Sequence, residues 1–522
     1  MAKRGLMVFR SRQVLGRIAS GVVGAARRHS ATGRMRTWLM ACTAVACFLA
    51  ACGPSRIEKK HGAIHHTDLG VTKYNVYDYD GAVAEFSVAI EMDSTYVPAY
   101  YFRGNAYLRK ELFDSAIADY NTVIALDRKH AKAYNNRAIA YAEIGDDRQA
   151  LLDYSKAIEI DPAYADAYYN RANLAMELGE IDFAIRDYTK AISNNPEYVD
   201  AYFRRAEAYR ESGLYAEAIE DYTSTIELDP RDFSAYHNRG TARQVTGDYG
   251  AAVSDYTRAL ELDPTSAPSY RNRANAYAEL REYESAIADY EKFIGLDPMG
   301  AEVLLNLGAM QEALGRYESA IASYTRLIET NPVSAEAYSA RAAIHYRNGD
   351  HRRAIEDYSR VIEIEPLAAD AYNNRGTAYD ELGEFGRAIA DYSEAIEMEP
   401  GFAEAYNNRG AAHARLRENS MAIADYTEAI RISPGYPAAY YNRGGIHFNL
   451  DDFAAAIVDF RKAIELDPGL VHAHYKLARA LEASGRADEA AQSYSEFIRN
   501  APADQAGDLE RARKRIEALR GP

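Results

Sequence analysis

The chain has few of the residues on which many small domains depend. Its 522 residues include three cysteines and one tryptophan, and all four lie within the first 52 residues. Beyond that point neither a disulfide framework nor a cysteine-ligated metal site is available. The formal net charge of −16 argues against nucleic acid as the main partner, because binding to phosphates requires basic residues. A hydrophobic content of 48% and a charged content of 26% are unlike those of disordered chains and polytopic membrane proteins.

Acidic residues are absent from the N-terminal stretch, which contains no Asp or Glu before Glu58. The apolar run from Trp38 to Cys52 is too short to span a bilayer, which requires about 20 residues. Basic residues followed by an apolar run of this length are typical of a secretory signal. The run ends in Leu-Ala-Ala-Cys at residues 49–52, which resembles the lipobox of bacterial lipoproteins. The resemblance implies that Cys52 carries lipid.

These features divide the N-terminal part of the chain into three predicted segments. We expect a basic leader at residues 1–34, which translation from Met35 would omit, and a signal peptide at residues 35–51. A polar linker is expected at residues 52–62, after the lipidated cysteine. The residues leave open three alternatives, namely an organellar transit peptide, an uncleaved anchor and an ordinary signal peptide.

A period of 34 residues takes up most of the remaining chain. The dipeptide Ala-Tyr recurs at this spacing, as at Tyr100, Tyr134 and Tyr168. Thirteen units run without insertion over residues 63–504, and the pattern of each predicts two amphipathic helices. Residues 505–522 leave the period and are predicted to form a capping helix, which would cover the apolar side of the last unit.

Small residues recur at two positions of the unit. One position is alanine in all thirteen units, as at Ala116, and the other is always glycine or alanine, as at Gly104. With their aromatic and proline positions in the expected order, the units resemble tetratricopeptide (TPR) repeats. The resemblance implies an all-α solenoid, a right-handed superhelix of antiparallel helix pairs. The family's tryptophan near the start of the first helix is tyrosine in most units here.

An arginine in the first helix and an aspartate in the second vary together among the units. Ten units carry both, and the three units without the arginine, at Leu69, Leu307 and Leu477, also lack the aspartate. We therefore predict an ion pair within each of the ten units that ties its two helices together. Removing one residue of a buried ion pair lowers the stability of the fold strongly, because the other charge is left without a partner. Examples are Arg103 with Asp119, Arg171 with Asp187, and Arg375 with Asp391.

The resemblance also implies a partner-binding groove on the concave face, lined by the first helix of each unit. We expect the position after the recurring tyrosine to face this groove, where aromatic and amide side chains suit peptide binding. The predicted groove residues are Tyr101, Asn135, Tyr169, Phe203, His237, Arg271, Asn373, Asn407, Tyr441 and Tyr475. The alternative is that some of these rings pack on neighbouring helices.

No phosphate loop, dinucleotide fingerprint or nucleophile motif occurs, so we predict no catalytic activity, cofactor or metal site. We expect a membrane-tethered scaffold for protein or peptide partners, lipid-anchored in a bacterial cell envelope and facing the periplasm from the outer membrane. One alternative is an accessory subunit of an envelope assembly or polysaccharide secretion machine. Another is an intracellular eukaryotic TPR adaptor, which a lipidated Cys52 would exclude.

Overall fold

All regular elements are helices in the residues that the structure describes. The structure is a computed structural model that describes residues 56–502 and 506–520. The chain separates into two compact units, divided between Leu228 and Asp229. Within the described ranges, no helix combines the length and the apolar character that crossing a bilayer requires. The leader, the signal peptide and Cys52 all lie outside the described residues.

The first unit contains five pairs of helices. They are α1 (Arg56–Asn75) with α2 (Tyr79–Met92), α3 (Val97–Arg109) with α4 (Phe113–Leu126), α5 (Ala131–Glu143) with α6 (Asp147–Ile160), α7 (Ala165–Glu177) with α8 (Ile181–Asn194), and α9 (Val199–Glu211) with α10 (Tyr215–Leu228). Within this unit each helix packs on the next one along the chain.

The second unit contains eight pairs and a terminal helix. They are α11 (Phe233–Val245) with α12 (Tyr249–Leu262), α13 (Ala267–Glu279) with α14 (Tyr283–Leu296), α15 (Leu304–Ala313) with α16 (Tyr317–Thr330), α17 (Ala335–Arg347) with α18 (His351–Ile364), α19 (Ala369–Glu381) with α20 (Phe385–Met398), α21 (Ala403–Arg415) with α22 (Asn419–Ile432), α23 (Pro437–Asn449) with α24 (Phe453–Leu466), α25 (Val471–Ala483) with α26 (Ala487–Asn500), and finally α27 (Ala506–Arg520). The predicted all-α solenoid of consecutive antiparallel helix pairs is confirmed.

Close pairing of the two helices in a repeat depends on the small residue of the first helix. A Cβ added to Gly104 in α3 would lie 2.8 Å from the Cε1 atom of Tyr120 in α4, and at Gly240 the corresponding distance to Tyr256 is 2.9 Å. Glycine therefore lets the backbone rest directly on a buried ring. At both positions the nearest atoms belong to the tyrosine that lies four residues after the recurring alanine of the second helix.

A residue with left-handed backbone follows the first helix of every repeat. At Gly179 φ is +76°, and the amides of Gly179 and Glu180 donate to the carbonyl groups of Met176 and Ala175 at 3.0 and 2.8 Å. This is the Schellman arrangement, in which glycine is favoured because it has no Cβ. Five repeats hold another residue there, at a cost of about 1–2 kcal/mol each. They are Tyr77, Glu111, Arg281, Arg417 and Asp451.

The N-terminal end of the array differs from the expected boundary. The predicted linker at residues 52–62 is helical from Arg56 onward, because α1 begins there and continues into the first repeat. No proline lies between Pro54 and Pro98, so none interrupts this helix. Gly62 in the added turns lies against α2, where a Cβ would come within 2.6 Å of the sulfur atom of Met92.

One repeat starts irregularly, with a 3₁₀ turn at Ala301–Val303 before α15. The irregular start coincides with the large ring of Phe293 in α14, at a position where α24 has Ala463. A Cβ added to Gly300 would lie 2.6 Å from this ring, so the chain turns into the next helix beside it.

α27 covers the second helix of the last repeat. Ala512 is fully buried, and Leu509, Ile516 and Leu519 pack with it against Tyr494. The side of α27 that the sequence makes apolar is therefore turned toward the array, which leaves its basic residues at the edge of this contact.

Candidate partner-binding clefts

A bidentate ion pair, here called the arginine clip, joins the two helices of ten repeats. In α3, Arg103 donates from Nε to Oδ2 and from Nη2 to Oδ1 of Asp119 in α4, both at 2.8 Å. The equivalent distances in the ten repeats range from 2.6 to 2.9 Å. All ten aspartates are buried. The arginines are Arg103, Arg137, Arg171, Arg205, Arg239, Arg273, Arg341, Arg375, Arg409 and Arg443, each paired with the aspartate 16 residues later.

The clip also reaches the preceding repeat, a contact that we did not predict. Arg171 Nη1 donates to the hydroxyl of Ser155 in α6 at 2.8 Å, and this bond links α7 to the repeat before it. The sequence contained the signal, because a serine, threonine or asparagine precedes each of the ten clip arginines by 16 residues. Leu307, which replaces a clip arginine, follows Glu291 instead.

The recurring tyrosine of the first helix packs against the clip. The Cζ atom of Arg103 lies 5.7 Å from the ring centroid of Tyr100, and in the ten clip repeats this distance is 5.5–5.8 Å. A guanidinium at this distance is attracted by the ring, and tyrosine provides such a face where the family more often has tryptophan.

The first repeat holds its acidic residue in another way. Glu85 of α2 accepts a hydrogen bond from Lys73 Nζ at 2.9 Å and lies 2.7 Å from Nδ1 of His66. The hydrogen bonds from His66 and Lys73 lower the pKa of Glu85. Two side chains of α1 thus take over the contact that a single arginine makes in other repeats.

Three of the predicted groove residues are buried asparagines. Asn135, Asn373 and Asn407 are only 3%, 2% and 7% exposed. Each accepts a hydrogen bond from an asparagine of the next repeat, as Asn135 Oδ1 does from Asn170 Nδ2 at 3.0 Å. The prediction that these amides contact a partner is therefore corrected, since they form hydrogen bonds between repeats and have almost no accessible surface.

The aromatic residues at the same position are half-buried. The ring of Tyr101 lies 6.3 Å from that of Tyr120 in the second helix, and Tyr169 lies 5.9 Å from Tyr188. Burial raises the pKa of Tyr101. Phe203, His237, Tyr441 and Tyr475 make the same contact with the second helix at 5.6–5.9 Å. These rings pack on the neighbouring helix, which was the alternative expectation.

Arg271 is the one charged residue among the predicted groove residues. Its Nη1 atom lies 3.4 Å from Oε1 of Glu302, which belongs to the next repeat. Both side chains are largely exposed, so this ion pair contributes little to stability. Arg271 therefore stays accessible to a partner.

The open surface of the first helices lies four, seven and eight residues after the predicted groove position. In the first unit these positions line a cleft of about 730 Å³, here called cleft A. Cleft A is bordered by Tyr74, Asn105, Leu108, Arg109, Glu111, Phe113, Asn136, Ile139 and Glu143. The sequence-based prediction missed cleft A because it chose a position that is one helical turn away, although the predicted groove residue Tyr475 does border a cleft near the C-terminal end of the array.

Cleft A combines fixed polar groups with apolar surface. Asn136 Nδ2 donates to Asn105 Oδ1 at 2.9 Å, and Arg109 Nε donates to the hydroxyl of Tyr74 at 3.3 Å. The hydrogen bond that Arg109 donates to Tyr74 raises the pKa of Arg109. Ile139 adds apolar area beside these groups. Such a surface can accept an extended peptide, with the amides facing its backbone and the apolar surface facing its side chains.

Two further clefts lie on the first helices of the second unit. Cleft B, of about 570 Å³, repeats the positions of cleft A five units later and is bordered by Gln244, Asn275, Ala278, Glu279, Arg281, Tyr283, Tyr290, Asn306 and Met310. Cleft C, of about 750 Å³, is bordered by Phe448, Tyr475, Arg479, Glu482, Ala483, Tyr494, Arg511, Lys514 and Arg515. All three clefts are open to solvent and differ in charge.

Comparisons with known families agree with this architecture. A model described as "Tetratricopeptide repeat" matches residues 169–233, 237–301, 271–335, 305–374, 339–392 and 373–437. Two more models of that description match residues 437–470 and 472–504, and one described as "TPR repeat" matches residues 104–145 and 140–179. The chain belongs to the tetratricopeptide repeat family.

Several solved structures are similar to parts of the chain. YrrB, described as a TPR protein with an unusual peptide-binding site, is 25% identical over 35% of this chain and 95% of its own, with a TM-score of 0.33. MamA is 28% identical over 32% of this chain and 92% of its own, with a TM-score of 0.31. Yeast Tom70 is 16% identical over 82% of this chain and 96% of its own, with a TM-score of 0.35. No curated protein sequence matches significantly.

Family membership makes the chain a repeat scaffold for protein–protein interaction. TPR solenoids are generally non-catalytic. Among residues 56–502 and 506–520, no three His, Cys, Asp or Glu side chains are grouped so that they could hold a metal ion. What the clefts offer is contact area, hydrogen-bonding groups and charge, which are the means of peptide recognition.

Proposed function

We propose that the protein is a membrane-tethered, non-catalytic scaffold that binds peptide or protein partners in clefts A, B and C. Lipid on Cys52 would anchor it in the bacterial outer membrane, facing the periplasm. Acyl chains hold a protein on a bilayer with roughly 0.8 kcal/mol per buried CH₂. The tether rests on the Leu-Ala-Ala-Cys sequence at residues 49–52 and on the basic, apolar stretch before it.

The contrast between packing and cleft positions within the chain carries the binding proposal. The buried alanine represented by Ala116 is the same in all thirteen units, because the helix pair needs it. The cleft position of Asn105 changes freely between units, to Ile139, Glu207 and Arg479 for example. Helix packing requires alanine at the Ala116 position in every unit. The residue at the Asn105 position varies between units, as expected if different units contact different parts of a partner.

Substitution of Cys52 tests the tether. We expect the wild-type chain to fractionate with membranes and to incorporate a labelled fatty acid, and we expect Cys52→Ala to abolish the labelling and release the protein. Crosslinking before fractionation should then recover membrane-associated partners with the wild type alone. Cys47→Ala is the matched control, because this cysteine lies within the apolar run and should change neither result. Identical fractionation of wild type and Cys52→Ala, with no label in either, would reject the tether.

A further inference from the structure

Cleft C is the C-terminal counterpart of cleft A, with one side replaced. Phe448 and Arg479 stand exactly eleven repeats after Tyr74 and Asn105. The opposite side of cleft A comes from the first helix of the next repeat, through Asn136 among others. No repeat follows α26, and α27 supplies this side of cleft C instead.

The replacement makes cleft C strongly basic. Four cations border it, namely Arg479 of α25 and Arg511, Lys514 and Arg515 of α27, against the single carboxylate of Glu482. Such a concentration is unusual in a chain of net charge −16. Clefts A and B have no comparable excess, since glutamates accompany their arginines.

The carboxylate of Glu482 shows how the cleft holds an anion. Its Oε2 atom accepts hydrogen bonds from the hydroxyl of Tyr494 at 3.0 Å and from Nε of Arg515 at 3.1 Å. Arg515 also forms an ion pair with Glu482 through Nη2. Two of the donors in the cleft are therefore already arranged around a carboxylate, while the other three cations face the remaining space.

Those three cations are available to a ligand. Arg479 is exposed and lies over the ring of Phe448, with its Cζ atom 5.0 Å from the centroid, and no carboxylate lies within 4 Å of it in the described part of the chain. Arg511 pairs with the half-buried Asp508 at 2.5 Å and Lys514 with the exposed Glu510 at 2.6 Å, both on their own helix. Surface ion pairs of this kind contribute little to stability, so both cations can pair with a ligand's carboxylates instead.

We propose that cleft C binds an acidic peptide segment of a partner protein that also carries an aromatic or apolar side chain. Carboxylates of the segment would face Arg479, Arg511 and Lys514, and the apolar side chain would pack on Phe448 and Tyr475. Charge complementarity selects the occupant, and the aromatic side chains provide contact area at low entropic cost. The inference rests on the proposed peptide-binding function.

An anionic membrane surface fits the same residues less well. A helix that lies on a bilayer inserts its apolar side between the lipids. In α27 that side is occupied, because Leu509, Ile516 and Leu519 pack around the fully buried Ala512. The cations of α27 line a recess together with Arg479 instead of standing beside a free apolar surface.

Fluorescence anisotropy with two labelled peptides tests the inference on the purified full chain. The acidic probe is Asp-Glu-Asp-Phe-Glu-Asp-Glu, and the neutral probe carries Asn and Gln in place of Asp and Glu. We expect at least about tenfold tighter binding of the acidic probe, weakening as salt screens the charges. Combining Arg479→Glu with Lys514→Glu should weaken its binding at least about tenfold. Arg258→Glu on α12, an exposed arginine outside the three clefts, is the matched control and should have no effect.

Three outcomes would overturn the inference. The first is equal affinity of the chain for the two probes. The second is unchanged affinity for the acidic probe in the Arg479→Glu, Lys514→Glu variant when circular dichroism shows that this variant is folded. The third is binding of the chain to phosphatidylglycerol vesicles without binding to the acidic probe. Photo-crosslinking from Ile139 in cleft A tests the proposed peptide-binding function without involving cleft C, so failure here is distinguishable from failure of the proposed function.

Discussion

Replacing Arg171 with alanine is expected to destabilise the repeat formed by α7 and α8 by about 3–5 kcal/mol, because a buried carboxylate loses its counter-ion. Asp187 is 5% exposed and receives two hydrogen bonds from Arg171, at 2.6 and 2.9 Å. The hydroxyl of Ser155 in the preceding repeat loses its donor as well. Repeat arrays open locally, so hydrogen exchange in α7 and α8 should accelerate more than in α21 and α22.

The chain itself offers the control and the rescue for this experiment. Arg186→Ala removes an exposed arginine next to Asp187 in α8 and should change hydrogen exchange little. Arg171→Leu combined with Asp187→Ser copies the natural pair Leu307 and Ser323, in which no charge is buried. The double variant should recover most of the lost stability. If it is no more stable than Arg171→Ala, the loss does not come from an unpaired charge.

Raising the pH from 9 to 12 is expected to unfold the array, because buried tyrosines of the second helices resist ionisation. Burial raises the pKa of Tyr256, Tyr324 and Tyr358 from 10.0 to about 12. In the unfolded chain these phenols ionise near pH 10, so above that pH the unfolded state binds fewer protons. The stabilisation is complete below pH 10 and is lost between pH 10 and 12, at about 1.4 kcal/mol per pH unit for each tyrosine.

Replacing Tyr324 and Tyr358 with phenylalanine isolates this effect. Phe460 fills the equivalent position in α24, so the ring fits without the hydroxyl. Urea unfolding should show that the double variant loses about 4 kcal/mol less stability than the wild type between pH 9 and pH 11.5. Equal losses for both proteins would mean that alkaline unfolding has another cause, such as repulsion among surface charges.

The fold and the arginine clip follow from repetition in the sequence. Thirteen copies of one pattern reveal the helix pairs, and the joint absence of arginine and aspartate at Leu307 and Ser323 reveals which residues belong together. Both arise within a single repeat, where helix geometry fixes the distance between positions. Contacts within one repeat can therefore be predicted from the sequence.

Contacts between repeats were harder to predict. Asn135 and Tyr169 occupy the same position in successive repeats, yet the asparagine is buried and the tyrosine is half-exposed. The difference depends on side-chain size and on Asn170, which donates to Asn135 from the next repeat. The basic character of cleft C likewise depends on where α27 packs, which the 34-residue period does not determine.

Photo-crosslinking from one cleft position tests the binding account most directly. A photo-reactive amino acid is placed at Ile139, which borders cleft A, or at Leu152, which is 56% exposed on the second helix of the same repeat. After irradiation of cells, we predict that Ile139 gives discrete crosslinked partner bands and that Leu152 gives none of them. The same bands from both positions, or bands from Leu152 alone, would contradict the assignment of the first-helix clefts as the partner-binding surface.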